Sequence, residues 1–370
     1  MAKVNVTYYL DDVDLSTYGV YVSSSSGLIG KPEAKDPISE EWESQSGTMY
    51  DLENLRYDSA TIELACFIGA DGLTDFETKV EAFLLALESG YHTLMVDIDE
   101  YVISRENVYI PKETKVTKTW VPMRMAGTFT LKFEQYTPEA PKRLITTYAA
   151  PKNVDDNDVH YSVDGVDFAN YGVMVTASSG LFSTPNQKDP ISVDWEDENG
   201  LQVYQAEPLY EERTIELSCT LAIKTSPDFV RACTEFIRLF TGQGTHRLRV
   251  YAGGKPLVYE VYHPSEISVK PTWSNDVNIG TFTLKLKEPE PVKTVIQASG
   301  TASITIACNA IAHIYWGDGS HTYDVSGDGE EYTITHTYAD GGNYEIIITC
   351  DTSAITSLTT SGTVIWNRLI

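Results

Sequence analysis

The stretch KDPISEEWESQSG, beginning at Lys35, is written again as KDPISVDWEDENG beginning at Lys188. The repetition extends well beyond this phrase. Tyr18-Gly19-Val20 returns as Tyr171-Gly172-Val173, Ser25-Ser26-Gly27-Leu28 as Ser178-Ser179-Gly180-Leu181, and Thr61-Ile62-Glu63-Leu64 as Thr214-Ile215-Glu216-Leu217. Every pair shares the offset that separates Gly19 from Gly172, 153 residues. The register slips by one around His92 and His246, then returns for Trp120 with Trp273 and for GTFTLK at Gly127 and Gly280. Solenoid repeats have periods of about 20–50 residues, so a period this long makes each copy a complete folding unit. After Lys287 the chain runs into EPEPVKT, a Pro-punctuated linker, and the residues beyond it match neither copy. The organisation expected is copy 1 over 1–140, a linker over 141–157, copy 2 over 158–288 and a third domain over 292–370.

Within copy 1, YGVYV, TIELACFI, HTLMVDI, ENVYI and GTFTLKF are rich in β-branched and aromatic residues and bounded by Gly, Ser and Asp, as half-buried strands are. One helix interrupts them. Thr74 is the expected cap, with Glu77 completing a capping box, and Phe76, Val80, Phe83, Leu84 and Leu87 fall on one face before Ser89-Gly90. Copy 2 keeps the design with other residues: Ser226 caps, Pro227 takes the first helical position, and Phe229, Cys233, Phe236, Ile237 and Phe240 form the apolar face before Gly242. The fold class is therefore mainly β, with two homologous β-sandwich or curved-sheet domains, each carrying one packed helix. The repeated letters have a structural explanation. Gly19, Gly127, Gly172 and Gly280 read as turn residues, Pro37 and Pro190 as residues that lead the chain into a short strand, and Trp42, Trp120, Trp195 and Trp273 as core. The alternative for Trp42 and Trp195 is an interface anchor.

Charge and motif content exclude several functions. The chain carries a formal charge of −26, and no segment is basic, whereas gripping phosphate backbones needs clustered Lys and Arg; specific nucleic-acid binding is not expected. The acidic excess reads first as a device for solubility. Five cysteines are too few and too scattered for a disulfide scaffold; Cys66 and Cys219 occupy equivalent strand positions, and Cys308 and Cys350 are read as a free, buried pair. MAKVNVTYYL lacks the apolar core of a signal peptide, and runs such as FLLAL at Phe83 are too short to span a bilayer. There is no GxSxG, HExxH, Walker loop, Rossmann fingerprint or CxxC. His92 and His246 read as structural imidazoles, and the acidic turns at Asp11, Asp164 and Ser326 lack the ligand ladder of an EF-hand loop. No catalytic residue, metal or cofactor is expected, and a pair of carboxylates of the glycosidase type is the remaining enzymatic alternative.

The C-terminal segment is more distinctive. IYWGDGS begins at Ile314 and YTITHTYADGGNYEIIITC at Tyr332. This pattern resembles the PKD family of immunoglobulin-like β-sandwiches, with Trp316-Gly317-Asp318-Gly319, His336-Thr337-Tyr338 and Tyr344 at the motif positions. The resemblance implies a spacer or adhesion module whose motif residues build turns and core, with a glycan as a possible ligand. The repeated unit, through its YGV, SSGL, PIS-x-x-W and GTFTLK elements, resembles the tube-forming domains of bacteriophage distal-tail and baseplate-hub proteins. That resemblance implies a structural component of a phage or prophage tail, assembled in the bacterial cytoplasm as a trimeric or hexameric ring with other tail proteins, and neither enzymatic nor membrane-bound. Such a ring needs equivalent surfaces twice per chain or in two layers, and an acid-lined bore would repel DNA. Neighbour contacts are expected at edge strands, with the GTFTLK strands as candidates. The rival expectation is a surface adhesin or carbohydrate-binding protein with tandem β-domains.

Overall fold

The structure, a computed structural model, describes residues 5–88, 90–111, 116–121, 124–138, 142, 159–204 and 208–369. The 141–157 linker lies outside these residues except for Lys142. Strict alternation in ATIELACFIGA and GTFTLKF sends Ile62, Leu64, Cys66 and Ile68, with Phe129, Leu131 and Phe133, to one buried face. The strands that carry them, Ala60–Ala70 and Arg124–Gln135, pair antiparallel from Met125 opposite Ala70 to Gln135 opposite Ala60. Val20–Ser26 pairs with the other side of Ala60–Ala70, and Thr117–Val121 pairs with Arg124–Gln135. A second group runs Val13–Asp14, Val6–Leu10, His92–Ile98 and Tyr101–Tyr109. Pairing of Glu134 and Gln135 with Tyr109 and Val108 joins the two groups, so eight strands form one curved sheet.

Copy 2 repeats this order strand for strand. Val166–Asp167, His160–Val163, His246–Tyr251 and Leu257–Val261 form one sheet; Val173–Ser179, Arg213–Ile223, Asn278–Glu288 and Lys270–Thr272 form the other. They are linked by a bridge between Tyr262 and Lys287, the positions equivalent to Tyr109 and Glu134. The GTFTLK strands were expected as candidate edges, and the structure corrects this: each is flanked on both sides. Among the edge strands of the two copies are Val20–Ser26 and Val173–Ser179. Each is broken by an irregularity in register, at Ser23 and Thr176, whose hydroxyls donate to Ala65 O and Ser218 O. A bulge of this kind on an edge strand discourages indiscriminate pairing.

The two helices are α1 (Leu73–Ala86) and α2 (Ser226–Arg238). Phe76 and Phe83 bury one face of α1, on which Val80 and Leu87 are half-buried and Leu84, expected there too, is exposed; Phe229, Cys233, Phe236 and Ile237 bury the face of α2. The capping expectations need correction. The α1 cap is Gly72, without a side-chain bond, and Thr74 lies inside the helix, where its carbonyl accepts from Thr78 Oγ1. In α2 the cap is Thr225, whose hydroxyl accepts from Asp228 N, one residue ahead of the expected Ser226. Gly127 and Gly280 are required by close packing from a strand-side valine and a helix ring: a Cβ would lie 2.6 Å from Val116 Cγ1 and 3.2 Å from Phe76 Cζ in copy 1, and 2.8 Å from both Val269 Cγ1 and Phe229 Cζ in copy 2. They are close-approach glycines rather than turn residues.

The buried side chains of both copies form one continuous apolar cluster, and residues 296–350 contribute a second. The second belongs to a pair of packed sheets. One has five strands, ordered His321–Val325, Ala312–Tyr315, Asn343–Thr349, Lys293–Ser299 and Thr363–Leu369. The other has three, ordered Glu331–Thr337, Thr301–Cys308 and Ile355–Thr360. Cys308 and Cys350 are free and buried, and the Cys350 thiol is pushed up by burial and by its Cys308 neighbour.

This C-terminal sandwich is fastened to copy 2 by ionic groups removed from water. Glu288 ion-pairs with Arg213 at 3.0 Å and accepts from Lys293, and all three side chains are almost wholly buried. Burial draws the Lys293 ammonium down to about 8, against the pull of Glu288. Removing one member of a buried ionic cluster leaves an uncompensated charge. Glu288→Gln is accordingly expected to destabilise the protein by about 3–5 kcal/mol, read from urea-unfolding midpoints.

Candidate functional site: a hairpin arm and the face that receives it

The repeated phrase does not enter a core. In each copy it leaves the sheet as a two-stranded ribbon, Ser39–Glu40 with Met49–Tyr50 in copy 1 and Ile191–Asp194 with Leu201–Tyr204 in copy 2. The ribbons have the same base and the same turn. Lys35 N donates to Arg56 O and Lys188 N to Leu209 O; Gln45 N donates to Trp42 O and Glu198 N to Trp195 O. Trp42 and Trp195 are 48% and 49% exposed, so the core reading of these two residues is wrong. An aromatic residue flanked by alternating polar residues looks the same in sequence whether it faces a core or a ribbon's outer surface. Trp195 Nε1 donates to Gln202 Oε1 across its own hairpin.

The first ribbon lies on copy 2. Gly47 N donates to Tyr210 O, Thr48 N to Pro289 O, and Tyr210 N to Ser46 Oγ. Lys188, its side chain 9% exposed, donates to Trp42 O and Gly47 O and pairs with Glu41 at 3.1 Å. Tyr50 donates to Glu212 at 2.5 Å and tilts against Tyr262 at 5.2 Å; burial and this carboxylate push its phenol up to about 12. Gly47 sits at φ +83, and a Cβ there would lie 2.4 Å from Pro289 O. The ribbon also touches the C-terminal sandwich, through Ser46 N donating to Asp351 Oδ2.

A second contact between the copies lies at the ribbon's root. Gly30–Lys31 forms a short antiparallel pair with Ile267–Ser268, and Ile29 is 4% exposed beside it. Lys31 is buried there, donating to His263 O at 2.9 Å and Ser265 O at 3.1 Å, with His263 Nδ1 at 3.3 Å. Burial brings its ammonium down to about 7, and keeps the His263 imidazole neutral.

Copy 2's own ribbon has no such support among the described residues. Its strand Leu201–Tyr204 is exposed throughout, and Gly200, at φ +85 like Gly47, has open space where a Cβ would stand. Phe182, the equivalent of buried Ile29, is 83% exposed. The receiving face is likewise filled in copy 2 and open in copy 1: Tyr262 is 2% exposed, whereas its counterpart Tyr109 is 37% exposed and lies between two further exposed rings, Tyr91 at 6.1 Å and Tyr136 at 5.8 Å.

The other repeated residues are structural. Gly19 and Gly172 take the left-handed conformation that ends a 3-10 turn, Trp273 packs edge-on against Phe229 at 5.3 Å, and Pro37 and Pro190 precede the ribbons. Trp120 lies in Thr117–Val121, and its side chain is outside the described residues. His92 Nδ1 sits 2.7 Å from Asp11 and His246 Nδ1 2.8 Å from Asp164, which engages both acidic turns. In the C-terminal sandwich the motif residues meet one another. Trp316 stacks on His336 at 4.9 Å, His336 Nε2 contacts Asp318 at 2.7 Å, Tyr338 donates to Trp316 O, and Tyr338 stacks on Tyr344 at 4.2 Å. Gly317 and Gly319 both have positive φ. Among the described residues no helix is long and apolar enough to cross a membrane.

No family model and no curated protein matches the chain. Among solved structures it is similar to the Dit (gp 19.1) protein of phage SPP1, described as a paradigm of the hub adsorption apparatus in phages that infect Gram-positive hosts. The two are 14% identical, and the match covers 58% of this chain and 90% of that one with a TM-score of 0.32.

The junction yields a pH prediction. Below about 7 Lys31 is charged in both folded and unfolded chains, and burial works against the folded one. Between about 7 and the unfolded value near 10.4 the folded chain binds fewer protons, so this residue's contribution to stability rises with pH. The urea midpoint of the native protein, measured against Lys31→Met, is expected to climb between pH 7 and pH 10.

Proposed function

We propose that the chain is a structural, non-catalytic component of a phage or prophage tail, a distal-tail or baseplate protein that assembles with copies of itself into a ring. The observation that carries this reading is the asymmetry between its two ribbons. One is seated on the next copy within the chain, and the other presents the same repeated letters with nothing beneath them among the described residues. A repeated unit that docks head to tail on its neighbour has a heterologous interface, and such interfaces close into rings or run on as filaments. The phage setting comes from the sequence resemblance of the repeated unit.

In this reading residues 1–140 and 158–288 are the two tail-tube-like domains. Residues 292–370 form a PKD-like appendage, supported by the stacked Trp316, His336, Tyr338 and Tyr344 cluster, and available to a surface glycan or another tail protein. Three chains would supply six equivalent positions around a bore.

Light scattering over a wide concentration range, with negative-stain images of any oligomer, tests the proposal. The expected result is a concentration-dependent oligomer, a trimer or hexamer, with a central hole. A strict monomer at every concentration would sink it and turn attention to the adhesin alternative, with a glycan array as the next measurement.

A further inference from the structure

The contacts made inside the chain become addresses on a second chain when each is moved by one repeat. On the donor side, Glu41, Trp42, Gly47 and Thr48 become Asp194, Trp195, Gly200 and Leu201. On the receiving side, Lys188, Tyr262 and Pro289 become Lys35, Tyr109 and Tyr136. We propose that the ribbon Ile191–Tyr204 of one chain docks on the first copy of a second chain, where Lys35 takes the carbonyls of Trp195 and Gly200 and the carboxylate of Asp194. This rests on the assembly reading above and names the surface through which assembly occurs.

Three observations favour a second copy over any other occupant. The first is the charged pair, which both repeats retain: the receiving lysine is present twice, and the acid facing it is Glu41 in the docked ribbon and Asp194 in the open one. Lys188 is engaged and nearly buried, whereas Lys35 is exposed. The second is backbone geometry. The two ribbons share base, turn and left-handed glycine, so the groups that bond to Tyr210 O and Pro289 O in the docked ribbon are already arranged in the open one. Those that matter most are the N–H groups of Gly200 and Leu201, which would meet Tyr57 O and Tyr136 O. The third is volume. The open ribbon carries Val203 where the docked one carries Tyr50, and the open face offers Tyr91 and Tyr136 beside Tyr109, so a smaller donor meets a larger aromatic receiver.

Because donor and receiver lie on different copies of one chain, each molecule uses both, and the interface propagates. Charge reversal separates this assignment from assembly by another surface. Lys35→Glu and Asp194→Lys are each expected to raise the concentration needed for association on the order of a hundredfold, since like charges then face each other. The double variant is expected to recover association. In an equimolar mixture of the two single variants every contact between unlike chains is matched, in both directions, so the mixture is expected to recover association with the two variants alternating.

A cysteine pair supplies the second readout. Thr48 N lies 3.0 Å from Pro289 O, so Leu201→Cys with Tyr136→Cys should give a ladder of disulfide-linked chains on mild oxidation. Each single cysteine variant should give no ladder, the five native cysteines being buried. An oligomer that survives both charge reversals and forms no ladder would overturn the assignment while leaving the ring reading standing. A native protein that stays monomeric at millimolar concentration would overturn both.

Discussion

A two-stranded ribbon standing away from its sheet has too little core to hold its own shape in water, and must lie on something or pair more fully with itself. Both solutions are present in this one chain. The docked ribbon has strands of two residues, and its turn groups bond to Tyr210 and Pro289. The open ribbon has strands of four residues and closes its turn with the Trp195 to Gln202 bond. The two differ both in the presence of a receiving face and in their strand residues, Thr48-Met49-Tyr50-Asp51 against Leu201-Gln202-Val203-Tyr204. The larger contacts between the units lie beside the docked ribbon: the buried root at Ile29 and Lys31, the shared apolar core of the two copies, and the approach of the C-terminal sandwich to Ser46.

The junctions are held in register by buried polar groups as much as by apolar area. Lys31 donates to two carbonyls of copy 2, the cluster of Arg213, Glu288 and Lys293 ties copy 2 to the C-terminal segment, and Arg247 and Arg249 reach Glu345 across the same boundary. Buried charges of this kind add little net stability compared with an apolar replacement, yet they penalise any other arrangement, because a shifted partner leaves a charge unpaired in a dry environment. An apolar contact tolerates sliding; Lys31, with its ammonium aimed at the carbonyls of His263 and Ser265, does not. That is the property a repeated interface needs if one unit's position is to fix the next.

Much of this architecture was legible in the letters. The offset of 153 residues, the alternating strands and the apolar face of α2 reflect local periodicity, which side-chain burial then obeyed, whereas on α1 only Phe76 and Phe83 of the expected face are buried. The residues that failed did so for a common reason. Trp42 and Trp195 carry the pattern of buried aromatics because an aromatic flanked by alternating polar residues reads the same in a core and on the outer surface of a ribbon. GTFTLK reads as a terminal strand because pairing partners far away in sequence leave no local mark. Gly127 and Gly280 read as turn residues because the helix ring pressing on each is equally non-local. Lys35 and Lys188 are the sharpest case. The same residue in the same phrase is exposed in one copy and engaged in the other, and no reading of identical letters could break that symmetry.

Writing both copies into one chain changes the assembly problem. The first ribbon's contact is intramolecular, formed at the high effective concentration that a covalent link provides, and so survives at dilutions where separate units would part. In the proposed assembly the remaining contacts would set the concentration at which chains associate. The fusion also spaces the appendage. If each unit carried its own C-terminal sandwich, the segment that receives Ser46 and Glu288 would crowd every position, whereas here it comes only after the second copy. The two ribbons are then free to diverge: the first braces the two copies, and the second leaves Phe182, Trp195 and Leu201 exposed, as the proposed contact with another molecule requires.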